Sequence, residues 1–480
     1  MKASYFNNWR GFMLDVTRGK VPRLQELLQL TGKLAKLGYT HLELYIEHTF
    51  MFEGKECAWK DASPLSPADI AELDRFAAEN GIELVPNCNT FGHMERFLAC
   101  PEFRHLAECP EPFFQQETGL YRQGVLYPDE KSIDFVDSLF KSYLPCFSSR
   151  KVNIGCDETF ELGHGRSQLR CETEGKHRVY LEHLKKLCQT ASRYSDTILF
   201  WGDIILHCPE LIGELPQNCI AMNWGYEAHH PFEGETAKFA AAGVPFAVCP
   251  GTSTWNSITG RTANMLTNLT SAVTHARKNG AVGLLLTDWG DGGHLQYAPL
   301  SYPAICTMAI LTESGPDALS EEAVAAKVDE VFFDNKEHWG SLLLELGHLG
   351  DVFHYKHHNS TLFDIILFSE SYPWANAVLQ QIQPEEIQAA WQKLDDFKEK
   401  FRTFADNSIT AREIANALRM TELSLLRMEK KKNLPLHKPY GYALACETIA
   451  EHCSLWLTRN RPGGMETGLA RLEKVRKEFQ

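Results

Sequence analysis

The chain has no apolar run long enough to cross a bilayer, and residues 1–20 contain no stretch of the length a secretory signal requires. Neither a membrane partner nor export is expected. Positive charge is scarce. Against 62 Asp and Glu stand 48 Lys and Arg, a net charge of −14 that argues against a nucleic-acid or anionic-membrane partner. A phosphate-cradling glycine loop and a nucleotide fingerprint are both missing. The 14 cysteines make no CxxC pair and no zinc-ligand spacing, and Cys88, Cys156 and Cys249 fall inside apolar runs, the pattern of reduced, buried thiols. His354, His357 and His358 lack acidic or cysteine neighbours at ligand spacing and read as polar surface. No cofactor and no metal are therefore expected, and the profile is that of a soluble, cytoplasmic protein.

What is present is a globular composition, 44% hydrophobic and 23% charged over 480 residues, enough for one large domain and an appendage. Short apolar runs at 11–16, 41–46, 82–88, 152–156, 197–201, 219–223, 244–249 and 282–287 alternate with amphipathic stretches. Eight strands separated by helices predict an α/β fold, a (β/α)8 TIM barrel. Its first helix is marked by Leu24, Leu27, Leu28, Leu34 and Leu37 at helical spacing, with Gly38 as the terminating glycine. The second begins with Ser66 as N-cap, Pro67 in the first turn and Asp69 against the helix dipole. Further helices are predicted over 177–194 and 262–279. A long insert from Thr90 to about Asp129 follows the third strand, on the face where long barrel loops tend to carry function. After about Pro303 only helical patterns remain, so the barrel is assigned residues 1–310 and an all-helical C-terminal region residues 311–480. There, Ile387, Trp391, Leu394 and Phe401 on a helix opened by Pro384, and Ile414, Leu418 and Leu425 on the next, mark packing stripes. Left exposed, such stripes make this region the candidate surface for a homo-oligomer.

Active sites of such barrels form at the carboxyl ends of the strands. Residues 151–167, KVNIGCDETFELGHGRS, run from an apolar strand into Asp157 and Glu158. Two adjacent ionised acids at a strand exit need solvent, partners or a ligand. Arg10 stands at the start of the first run and Asp15 near its end; Glu47 closes the second; Asn87, Asn89 and His93 follow the third. Trp201 and Asp203 end the fifth, Asn223 and Trp224 the sixth, Trp255 follows the seventh, and Asp288, Trp289 and Asp291 close the eighth. Tryptophans gathered with carboxylates and an arginine suit a pyranose, because an indole packs on the CH face of the ring while acids and Arg bind its hydroxyls. The expected ligand is a sugar.

These residues carry a resemblance. WRGFMLDVTR at the first strand, FGHM after the third, NIGCDE at the fourth and TDWGD at the eighth are similar to glycoside hydrolase family 20, the β-N-acetylhexosaminidases, over about residues 9–300. The chain resembles members without the family's usual N-terminal accessory domain. The resemblance implies an exo-acting, retaining enzyme that removes a terminal N-acetylhexosamine, GlcNAc or GalNAc, from a saccharide, with the substrate's own 2-acetamido oxygen as nucleophile. It implies that Asp157 orients the acetamido N–H and steadies the oxazolinium-like intermediate, while Glu158 protonates the leaving oxygen and later deprotonates water. Arg10 matches the family arginine that holds O3 and O4, His93 the histidine of the Gly-His motif, and Trp201, Trp224 and Trp289 the aromatic walls. Asp291 stands where the family has a hydroxyl-binding glutamate. After the seventh strand the family's Tyr-x-Asp gives way to CPGTSTW, leaving Tyr226 or Tyr297 as substitutes for the tyrosine, or Trp255 as a wall. Glu47 is a further candidate ligand of the sugar. Two alternatives stay open: a two-carboxylate glycosidase pairing Glu158 with Asp203 or Asp291, and a non-catalytic sugar-binding barrel.

Overall fold

Eight short strands pair side by side in the computed structural model of this protein, which describes residues 4–116, 119–336 and 338–480. They are β1 (Trp9–Asp15), β2 (His41–Tyr45), β3 (Glu83–Pro86), β4 (Lys151–Asn153), β5 (Thr197–Trp201), β6 (Cys219–Trp224), β7 (Phe246–Cys249) and β8 (Gly283–Asp288). All neighbours are parallel, in the spatial order β3-β2-β1-β8-β7-β6-β5-β4. A bridge from Asn87 to Asn153 joins the two ends, with the Cys88 N–H donating to the Asn153 carbonyl at 2.9 Å. The sheet is therefore the barrel that the strand count predicted.

The β3–β4 seam is the thinnest part of the ladder, and side chains reinforce it. Glu43, fully buried, accepts from Asn87 Nδ2 at 2.9 Å and from Asn153 Nδ2 at 3.0 Å, and its other oxygen lies 2.7 Å from His41 Nε2. Trp9 stacks on His41 at 4.5 Å. A buried carboxylate is costly unless it is hydrogen-bonded. Here the bonds that satisfy it also tie β2, β3 and β4 together.

Local sequence accounts for most of the outer ring. Helix α1 (Leu24–Lys36) buries Leu27, Thr31 and Leu34, one face at i, i+4 and i+7, each leucine contributing about 2 kcal/mol by burial. Helix α2 (Pro67–Glu79) starts from a complete capping box between Ser66 and Asp69, a feature that stabilises a helix by about 1 kcal/mol. Then follow α3 (Glu130–Tyr143), α4 (Lys176–Ala191), α5 (Phe232–Ala241), α6 (Thr262–Lys278) and α7 (Tyr302–Ser314). The sequence reading did not anticipate α3 and α5. The signal of α5 is weak because it buries only Phe232, Thr236 and Phe239. Helix α7 spans residue 310, so a boundary drawn there cuts a helix. The insert after β3 folds as a short helix, Glu95–Leu98, and a hairpin of Phe113–Gln115 with Leu120–Arg122.

The remainder is helical, as expected: α8 (Glu321–Phe332), α9 (Trp339–Leu346), α10 (Leu362–Leu367), α11 (Pro384–Phe404), α12 (Ile409–Lys431), α13 (Gly441–Arg459) and α14 (Met465–Glu478). The two stripes are packing faces, as their spacing predicted. Ile387, Trp391, Leu394, Phe401, Ile414, Leu418 and Leu425 are all buried within the chain, because α12 packs against α10, α11 and α13. The stripes are not free to join a second subunit. Ion pairs fasten this region to the barrel, Arg459 to Glu26 of α1 at 2.8 Å and Arg461 to Asp69 of α2 at 2.9 Å. Among the described residues no helix is long and apolar enough to cross a membrane.

Candidate active site

Strand alternation decides what reaches the barrel mouth. Met13 of β1 faces the barrel interior, whereas Phe12 and Leu14 join the layer between sheet and helices. Arg10 shares the outward face, and its guanidinium lies over the turn after α1, where a Cβ on Gly38 would sit 3.4 Å from it. The expectation that Arg10 holds sugar hydroxyls is thus corrected. It stands at the wrong end and on the wrong side of β1. Five residues separate it from Asp15, and an odd separation places two side chains on opposite faces of a strand.

The arginine of the mouth is Arg18, which the sequence reading missed. Asp15 Oδ1 accepts from the N–H groups of Thr17 and Arg18 at 2.8 and 3.3 Å, turning the chain back as it leaves β1. Arg18 then meets Asp15 at 3.1 Å, Glu47 at 3.5 Å and Asp291 at 3.7 Å. Its guanidinium lies 4.8 Å from the Tyr45 ring and 5.2 Å from that of Trp289. Burial opposes its charge, but Asp15 and its neighbours outweigh that and hold it protonated. The signal was available, since WRGFMLDVTR contains a second arginine just past the strand.

The acids sit on a coil rather than on the extended strand that the run 152–156 predicted. Strand β4 ends at Asn153, its backbone bonds to β5 run on only as far as Gly155, and Gly155, Cys156 and Glu158 take φ values of 70°, 74° and 49°. Such angles are unfavourable for Cys and Glu unless the surroundings impose them. The Tyr180 hydroxyl donates to the Cys156 carbonyl at 2.9 Å and Thr90 Oγ1 to the Ile154 carbonyl at 2.7 Å, fixing the turn. At Gly155 a Cβ would come 2.0 Å from Asn89 Oδ1, so only glycine fits.

This turn sends the two carboxylates to different places. The side chain of Asp157 is 9% exposed and that of Glu158 34%. His93 reaches both, with Nε2 3.3 Å from Asp157 Oδ2 and 3.6 Å from Glu158 Oε2, while Nδ1 lies 3.8 Å from Glu47 Oε1. Burial disfavours an imidazolium, but the three carboxylates outweigh it and lift His93 to about 10, so it is a cation at neutral pH. Burial pushes the Glu158 carboxyl above its ordinary range, with His93 and Arg122 opposing and Asp157 adding to the rise. Asp203 accepts from the Glu158 N–H at 3.3 Å and is pushed well up by burial and by the charge of Asp157. Glu47 accepts from the Tyr45 hydroxyl at 3.0 Å, and burial lifts it to about 7 against the pull of Arg18. Burial raises Asp291 as well.

Tyr226 organises the aromatic side. Trp289 Nε1 donates to its hydroxyl at 2.8 Å, Trp224 stacks on its ring at 5.2 Å, and Trp255 meets it edge-on at 5.1 Å. Trp201 lies 5.9 Å from Trp289, so the four predicted tryptophans share one wall. Tyr297 lies elsewhere, its hydroxyl engaged by Asn416 and His452 of the helical region. Among the described residues, Asp157 Oδ1, Asp203 Oδ1, Asn89 Oδ1 and the Nε1 atoms of Trp201, Trp224 and Trp255 are buried without a protein partner. Buried polar atoms are normally bonded, so a ligand carrying both donors and acceptors fits this mouth.

Residues around the acids hold the insert in place. Glu161 accepts from the Gly124 N–H at 2.7 Å, His164 stacks on Phe113 at 4.6 Å, and Arg166 lies 3.9 Å over Tyr127. All 14 cysteines are free thiols. Away from the tryptophan wall, Cys57, Cys100 and Glu102 bring their ligand atoms within 4.8 Å of one another, a grouping that linear spacing does not reveal. His354 pairs with Glu386 at 2.7 Å, and His357 stacks on Trp374.

A parallel barrel with adjacent acids, a buried imidazolium and an indole wall at the carboxyl ends of its strands is the class of fold and site that glycoside hydrolases use. The chain belongs to glycosyl hydrolase family 20, whose catalytic-domain model matches residues 7–264. It is similar to Hexosaminidase D of Homo sapiens, 27% identical over an alignment of 240 positions that covers 48% of this chain and 48% of that protein. Hexosaminidase D of Bos taurus is 26% identical over an alignment of 324 positions that covers 61% of this chain and 90% of that one. The chain thus spans about half the length of the human relative. Among solved structures, the β-N-acetylhexosaminidase of Bacteroides fragilis shares the fold with a TM-score of 0.54 at 14% identity, covering 69% of this chain and 72% of that one.

Proposed function

We propose that this protein is an exo-acting, retaining β-N-acetylhexosaminidase that removes terminal N-acetylhexosamine from glycans by substrate-assisted catalysis. One observation carries the reading. Asp157 turns Oδ2 to the His93 imidazolium and keeps Oδ1 buried with no protein partner among the described residues, an acceptor suited to an acetamido N–H. Glu158, the more exposed acid with a raised carboxyl, suits proton donation to a leaving oxygen.

In this mechanism the acetamido oxygen attacks the anomeric carbon while Glu158 transfers its proton to the glycosidic oxygen, and the aglycone departs as an alcohol. Asp157 takes the acetamido N–H and offsets the positive charge of the oxazolinium. The Glu158 carboxylate then removes a proton from water, the water oxygen bonds to the anomeric carbon, and the acetamido group reforms with the β-configuration retained. Tyr226, which accepts from Trp289 and also bonds Thr287, is the proposed donor to the acetamido oxygen, in the role of the family tyrosine. Arg18, Glu47 and Asp291, joined by ion pairs, hold the sugar hydroxyls against the tryptophan wall. The two-carboxylate alternative is weaker, because Asp203 is turned to the Glu158 backbone and Asp291 is held by Arg18. The free thiols suit a reducing compartment and support a cytoplasmic location.

An N-acetylglucosamine thiazoline, which mimics the cyclised intermediate, tests the reading directly. Competitive inhibition far tighter than by N-acetylglucosamine is expected, together with hydrolysis of 4-nitrophenyl N-acetyl-β-glucosaminide but not of the plain glucoside. Turnover of the glucoside with no thiazoline inhibition would overturn the acetamido mechanism.

A further inference from the structure

We propose that the hairpin over the mouth builds a subsite for an anionic leaving group, with Arg122 reading the carboxylate of a hexuronic acid attached to the departing oxygen. The proposal rests on the reading of Glu158 as the acid.

Among the described residues, two cations of the mouth are committed. Arg18 and His93 are each ringed by carboxylates. Arg122, on the second strand of the hairpin, is different. Its Nε donates to Gln115 Oε1 at 2.8 Å and its guanidinium lies 5.0 Å over the Phe160 ring, while among the described residues it forms no ion pair. Phe160 follows Glu158 by two positions, its N–H donating to the Glu158 carbonyl at 2.7 Å. The Arg122–Phe160 stack is therefore built on the same turn of chain as the acid, and its charge reaches the carboxyl groups of Glu158 and Asp291.

The hairpin is held at both ends. Its base is fastened by the Phe113–His164 stack and by the bond from Gly124 to Glu161. At its turn, Gly119 lies against the helical region, where a Cβ would come 3.3 Å from Pro373 Cγ. It thus spans from the β4 side of the mouth to the helices beyond α7. A leaving group passing Glu158, whose side chain is 34% exposed, meets a planar, permanently charged fork. That fork matches a carboxylate with two parallel hydrogen bonds. A protein with a net charge of −14 repels anionic saccharides overall, so an uncommitted arginine at the mouth supplies local attraction where the remaining charges do not.

The test competes two disaccharides against 4-nitrophenyl N-acetyl-β-glucosaminide with the full chain: N-acetylglucosamine β-linked to methyl glucuronoside, and the same compound with methyl glucoside. The expected inhibition constant is about five- to tenfold lower for the uronate, with the ratio shrinking as salt rises. Arg122→Gln should bring the ratio to about one and Arg122→Lys to an intermediate value, with thermal melts confirming that both variants fold. Equal inhibition by the two disaccharides, no inhibition by either, or a ratio that R122Q leaves unchanged would overturn the anionic subsite alone. Failure to hydrolyse the chromogenic substrate would remove the proposed activity, and this inference with it.

Discussion

His93 Nε2 lies 3.3 Å from Asp157 Oδ2, and the other oxygen of the same carboxylate is buried with no protein partner among the described residues. One oxygen is thus held by the protein, and in the proposed mechanism the other takes the acetamido N–H. Asp157→Asn is therefore expected to lower kcat/KM for 4-nitrophenyl N-acetyl-β-glucosaminide by about 100- to 1,000-fold, the scale of losing charge stabilisation in a desolvated site. Thiazoline affinity should fall with it. A loss of less than about tenfold in steady-state kinetics would remove Asp157 from the charge-stabilising role.

The same imidazolium sets the pH response. A general acid works in its protonated form, so kcat/KM should decline as pH rises through the Glu158 carboxyl, which burial holds above its ordinary value. His93 acts in the opposite sense, its positive charge favouring the ionised acid. Removing that charge with His93→Gln should move the basic limb of the pH profile upward, by up to about one unit, while kcat falls. A limb that moves downward would contradict the assignment of that limb to Glu158.

The two arginines of the first-strand motif make opposite predictions. Arg18→Gln leaves Asp15, Glu47 and Asp291 uncompensated and removes donors from the mouth. It should cost about 100-fold in kcat/KM, chiefly through KM. Arg10→Gln, behind the barrel wall, should change kcat/KM by less than about threefold, on the premise that substitutions away from the site leave transition-state contacts intact. Kinetics on the two variants side by side would show which arginine meets the sugar.

Glu43 yields a stability prediction rather than a kinetic one. Replacing it with Ala strands the Asn87 and Asn153 amides and His41 in the barrel interior. It should destabilise the fold by about 3 kcal/mol, measured by urea unfolding. A change below about 1 kcal/mol would mean that the backbone bridge holds the β3–β4 seam without side-chain help.

Much of this protein was legible without coordinates. The eight strands were visible because a buried strand is a local run of apolar residues. Asp157, Glu158 and the tryptophans were visible because they follow such runs directly. Helix α2 announced itself through Ser66, Pro67 and Asp69. Helix α5 did not, having too few buried residues to impose a period. The placement of Arg10 failed at a finer level, since motif likeness does not say which face of a strand a side chain takes. Tyr226 and Tyr297 were equal candidates in the sequence. They separated only when one was found bonded to Trp289 and the other to Asn416 and His452.

The amino-acid order by itself determined the eight apolar runs, their alternation with helices and the paired acids that follow the fourth run, because each is a pattern of residues a few positions apart. The tertiary structure alone decided that Arg18 meets Asp291 across the β1–β8 boundary, that the hairpin reaches Pro373, and that Cys57 and Cys100 adjoin. Those contacts join loops from different strands, and closure of the barrel sets which loops become neighbours. No local pattern in the chain encodes that closure.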